Sequence, residues 1–118
     1  MKKYIALKPN TSTKSNANYL KIELYYSLGG YNPFTGKPEG RGYYLSVSPV
    51  ETSNRDGIDF ESYAAFTGSK ICILEVTRKS KKAEENAAKL ATEKENDLIQ
   101  YVCTRNHLEI ETGEKENA

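Results

Sequence analysis

Residues 19–28, YLKIELYYSL, alternate without a break. Leu20, Ile22, Leu24, Tyr26 and Leu28 fall on one face, and Tyr19, Lys21, Glu23, Tyr25 and Ser27 on the other. A period of two over this length is the pattern of a β-strand with one buried and one wet face. The other elements must therefore pair with this strand or cover its apolar side. Residues 43–50, YYLSVSPV, alternate again, with Tyr43, Leu45 and Val47 on one side. Pro49 cannot donate to a ladder, so this second strand is expected to end there or to lie at an edge.

Three further stretches have strand character. Residues 4–7 form a short apolar piece suited to an edge strand. After the turn TSNRDG, residues 58–66 put Ile58, Phe60, Ala64 and Phe66 on one face. Residues 71–76, ICILEV, are apolar on both faces at their start, which suits a central strand.

From Ser80 to about Asn106 the period changes to that of a helix. Ala83, Ala87, Leu90, Ala91, Leu98, Tyr101 and Val102 make one apolar stripe, and Ser80 suits an N-cap. Lys94 falls within the stripe, so either its stem snorkels, the helix breaks near residues 95–97, or the helix outruns the sheet. Strands followed by one helix predict an α+β fold: an antiparallel sheet of about four strands, with one long C-terminal helix packed on one face. The 118 residues suit a single domain, with a flexible connection at 8–18, a long loop at 29–42 and a frayed acidic tail at 109–118.

The long loop, GGYNPFTGKPEGRG, holds five of the chain's eight glycines and exposes Tyr31, Phe34, Lys37 and Arg41 without apolar periodicity. It is not a phosphate cradle. Such a cradle joins a strand to a helix and ends in Gly-Lys-Ser/Thr, whereas this loop joins two strands and Gly36-Lys37 precedes Pro38. Its aromatic and basic side chains are of the types that anchor protein interfaces. A second cationic cluster, Arg78, Lys79, Lys81 and Lys82, surrounds the expected helix start. Cations there oppose the helix dipole by a few tenths of a kcal/mol each, so the cluster suits an anion or an acidic partner. The plain alternative is a solvated charged turn.

Nine tyrosines and no tryptophan leave Tyr19, Tyr25, Tyr44 and Tyr63 on the face opposite the apolar one. These rings could stack on bases of a single-stranded nucleic acid; β-propensity alone also explains them. Residues 41–47 partly resemble the inner-strand signature of the RNA-recognition motif, but the early helix of that fold is missing. A net charge of +1 argues against a general duplex-DNA binder. Cys72, Cys103 and His107 offer at most three soft ligands without paired CxxC spacing, so neither a metal nor another cofactor is expected. The single histidine stands in no Ser-His-Asp pattern, and a non-enzymatic role is expected. Two cysteines are too few for a disulfide framework. With no signal-like or membrane-spanning run, a soluble cytoplasmic protein is expected.

Four blocks carry a wider resemblance: GYYLSVSPVE at 42–51, AFTG at 65–68, RKSKKAE at 78–84 and LIQYVC at 98–103. Together they resemble small uncharacterised accessory proteins of bacterial mobile genetic elements: integrative elements, plasmids and phages. The resemblance covers rather more than half the chain and implies no established activity and no site residue. Proteins of that setting are often inhibitors of host defence, which makes an anti-CRISPR protein acting by contact with a CRISPR effector nuclease or its guide complex the leading expectation. A single-stranded nucleic-acid-binding accessory protein for conjugation or replication is the alternative, and a homodimeric module a third reading.

Overall fold

A computed structural model describes residues 2–8, 17–32, 36–52, 61–63 and 68–111. Among the described residues, seven strands precede one helix: β1 (Lys2–Ala6), β2 (Tyr19–Ser27), β3 (Gly30–Asn32), β4 (Lys37–Glu39), β5 (Gly42–Thr52), β6 (Glu61–Tyr63), β7 (Ser69–Glu75) and α1 (Lys81–Asn106). The main sheet is antiparallel and four strands wide. β1 pairs with β2, β2 with β5, and the far edge of β5 is shared by β6 and β7. The fold is α+β, as the order of patterns predicts, with α1 against β5 and β7.

The register follows the alternation. β2 and β5 place Ile22 opposite Val47, Leu24 opposite Leu45 and Tyr26 opposite Tyr43. Leu20, Ile22, Leu45 and Val47 are fully buried, and Ala87, Ala91, Leu98, Ile99 and Val102 meet them from the helix. Each large side chain removed from water contributes roughly 1.5–3 kcal/mol, so this one interface supplies most of the apolar stabilisation.

The helix starts where expected. Ser80 Oγ accepts from the Ala83 N–H at 3.0 Å, and His107 ends the helix in the left-handed region at φ 58°. There is no break at 95–97. Lys94 points to solvent, and the position that continues the buried stripe is Glu95, which pairs with Lys3 of β1 at 2.6 Å. The stripe is rotated from the expected one: Ile99 is buried and Tyr101 is 53% exposed.

β7 is not central. It pairs with β5 alone, and the register skips one residue between Tyr43–Leu74 and Tyr44–Cys72. The skipped residue is Ile73, so Ile71, Ile73 and Leu74 all pack against the core while Cys72 turns outward. A bulge, not burial on both faces, explains the unbroken apolar run. β5 likewise does not end at Pro49 but continues to Thr52. On its far edge the β7 pairing stops at Val47 and the β6 pairing starts at Val50. Pro49 falls between them, where its missing N–H leaves no registered ladder bond unmade on that edge.

Of the expected third strand, Glu61–Tyr63 is β6, whereas Ile58, Phe60, Ala64 and Phe66 lie outside the described residues. At the connection after β1, Ala17 is buried and Asn18 N–H donates to Val50 O at 3.0 Å; residues 9–16 lie outside the description. The tail does not fray at once. Lys8 N–H donates to Glu109 O at 2.8 Å and Glu111 N–H to Ala6 O at 3.0 Å, so residues 109–111 lie alongside the end of β1. Residues 112–118 are not described. No helix among the described residues is long and apolar enough to cross a membrane.

Candidate functional site

The stretch between β2 and β5 is a ribbon. β2 ends at Ser27, whose Oγ accepts from the Gly29 N–H at 3.1 Å. Gly29 then turns with φ 82°, and a Cβ there would stand 2.7 Å from Glu39 O. Only glycine suits that conformation and that approach. β3 and β4 follow, with Gly30 opposite Glu39, Tyr31 opposite Pro38 and Asn32 opposite Lys37.

Three contacts hold the ribbon's base, two of them to the sheet and one across its own two stems. Lys70 of β7 reaches Glu39 at 2.8 Å. Tyr44 OH donates to Gly40 O at 2.8 Å. Arg41 Nε donates to Leu28 O at 3.1 Å. The remaining Arg41 contact matters most: its guanidinium also reaches Thr77 O at 3.5 Å, while Val76 N–H donates to Arg41 O at 3.3 Å. Thr77 leads directly into Arg78. The two candidate patches, distant in sequence and linked by no local pattern, thus meet at one guanidinium.

 Leu28 and Tyr31 are each 71% exposed, the most exposed large apolar side chains among the described residues. Lys37 and Arg41 are exposed beside them, and Phe34 lies outside the described residues. Arg78 and Lys79 on the adjoining turn and Lys81 and Lys82 in the first turn of α1 are all exposed, and none is paired with a carboxylate among the described residues.

Leu28 is the residue that alternation misplaces. It continues the apolar face of β2 by count, yet it lies past the strand's last paired residue. The two glycines that follow it are the signal of that ending. Glu39 and Lys70, which hold the ribbon down, carry no such signal.

Tyr4, Tyr19, Tyr25 and Tyr44 sit on the face of the sheet opposite the helix, but as pairs. Tyr25 and Tyr44 stack at 6.0 Å with 21° between their planes, and Tyr4 and Tyr19 meet edge to face at 6.3 Å. Lys70 Nζ stands 5.4 Å from the Tyr44 ring centroid, and Tyr44 is only 7% exposed. Burial pushes the Tyr25 and Tyr44 hydroxyls above the ordinary tyrosine value, and the hydrogen bond to Glu39 raises Lys70. Tyr63 pairs with Val50 in β6. Cys72 is exposed beside Tyr44 on this face, whereas Cys103 packs against the core, where burial raises its thiol, and His107 caps the helix. The described residues hold no cluster of three metal-ligating side chains.

Fold and site together define a small α+β protein with a helix on one face of its sheet and an apolar, cationic end formed by a pinned ribbon and a basic turn. Among known proteins, no family model, no curated protein and no solved structure matches the chain.

Proposed function

We propose that the chain is a non-catalytic binding protein of a mobile genetic element, and that it inhibits a CRISPR effector nuclease in the cytoplasm by protein–protein contact. The observation that carries the binding role is the exposure of Leu28 and Tyr31 on a ribbon held by Arg41, Glu39–Lys70 and Tyr44–Gly40. A pinned ribbon loses less freedom on docking than a free loop, so more of its contact energy appears as affinity. The mobile-element setting rests on the resemblance of residues 42–51, 65–68, 78–84 and 98–103, and the nuclease on that setting, in which small proteins are often inhibitors of host defence. The tyrosine face supports a nucleic-acid role less well, because Tyr25 and Tyr44 already occupy each other's rings. The test is a pull-down with the nuclease complex of the host, followed by a cleavage assay. A complex and reduced cleavage are expected; no complex and undiminished cleavage would remove the proposal.

A further inference from the structure

Cations outnumber carboxylates at the ribbon end. Arg41, Arg78, Lys79, Lys81 and Lys82 surround it, yet the whole chain carries a formal net charge of only +1. Glu75, Glu84 and Glu85 stand at the same end and offset part of that charge, and Glu39 there is paired with Lys70; further carboxylates stand along α1 at Glu93, Glu95 and Asp97, and at Glu109 and Glu111 beside β1. Leu28 and Tyr31 are exposed on the ribbon, and Arg41 joins the backbone of Leu28 to that of Thr77, which leads into the basic turn. We infer that this end docks an acidic protein segment bearing apolar side chains. Leu28 and Tyr31 take the apolar contact, and Arg78, Lys79, Lys81 and Lys82 face the carboxylates around it. This rests on the protein-binding reading above and adds the chemistry of the partner.

An apolar centre with a charged rim is the anatomy of a protein interface. A nucleic acid would instead need open aromatic faces for its bases. Here Tyr31 is the single open ring, Leu28 beside it is aliphatic, and Tyr44, on another face, is nearly buried. Cations at the rim steer an acidic partner and raise its association rate, an effect that salt weakens.

The test is fluorescence anisotropy of the full chain with two labelled probes: a peptide of repeated Glu-Leu and a single-stranded RNA of matched charge. Saturable peptide binding that weakens with added salt is expected. Leu28→Ser with Tyr31→Ser should weaken it about tenfold or more, as loss of an interface anchor does. Arg78→Glu with Lys79→Glu should do the same. Lys89→Glu with Lys94→Glu changes net charge equally on the exposed helix surface and should leave affinity unchanged. No saturable peptide binding, tighter binding of the RNA, or an equal loss in the Lys89/Lys94 variant would overturn the inference. All substituted side chains are exposed, and circular dichroism checks that each variant folds. If the Arg78/Lys79 variant does not fold, the Leu28/Tyr31 series decides alone. A chain that binds the peptide but leaves the nuclease unaffected removes the nuclease and keeps this inference. A chain whose inhibition survives Arg78→Glu with Lys79→Glu does the reverse.

Discussion

Tyr44 joins the sheet to the ribbon through one hydroxyl. Its OH donates to Gly40 O at 2.8 Å, and its ring lies between Tyr25 and Lys70. Tyr44→Phe keeps the ring and removes the donor, so it should cost about 1 kcal/mol in urea unfolding, the usual net value of such a bond. The same site predicts alkaline sensitivity. Burial raises Tyr25 and Tyr44 above the ordinary 10.0. The hydrogen bond to Glu39 raises Lys70 above 10.5. Above those values the unfolded chain releases protons that the folded chain still holds. The unfolded state then binds fewer protons, and stability falls as pH rises. Denaturation midpoints should therefore hold below the ordinary values and drop above them, less steeply in Tyr44→Phe than in the parent. Gly42 tests the backbone. A Cβ there would meet Leu74 O at 2.3 Å and Glu75 Cα at 2.9 Å, both main-chain atoms that cannot swing aside. Gly42→Ala should destabilise by about 1–3 kcal/mol, the usual cost of overpacking.

At the scale of elements, the helix boundaries carry their own prediction. Ser80→Ala removes the Oγ that satisfies the Ala83 N–H and should cost about 1 kcal/mol by thermal or urea unfolding. The Ser80 cap was legible because capping is local: a serine immediately before a helical stripe. The strands β2 and β5 were legible for the same reason, since alternation states the two faces without knowledge of a partner. What could not be read depends on partners distant in sequence. The bulge at Ile73 is defined only against Tyr43 and Tyr44 of β5. The phase of α1, with Ile99 inward and Tyr101 outward, is set by the sheet beneath it and by Glu95 meeting Lys3. The ribbon's side chains stood out as a glycine-rich loop, but its link to the basic turn runs through Arg41 and Thr77. No local pattern announces that contact.

Across the whole molecule, the two ends of the described chain hold each other. Leu7 forms a bridge with Ile110, flanked by Lys8 N–H to Glu109 O and Glu111 N–H to Ala6 O. Leu108, just before that bridge, is buried in the same core as Leu7, Leu20 and Val102. The short segment after α1 therefore does two things: it buries an apolar side chain, and it gives the end of β1 hydrogen-bond partners. β1 is an edge strand with Lys2 and Lys3 at its start, and β2 is its partner within the main sheet. Deleting residues 108–118 removes the Leu108 burial, worth roughly 1.5–3 kcal/mol, together with those backbone bonds. Deleting only 112–118 leaves both in place. The longer deletion should lower the urea midpoint and speed amide exchange at Ala6, Leu7 and Lys8, whereas the shorter one should change neither. Equal stability of the two variants would mean that the helix and sheet hold β1 without help from the segment that follows α1.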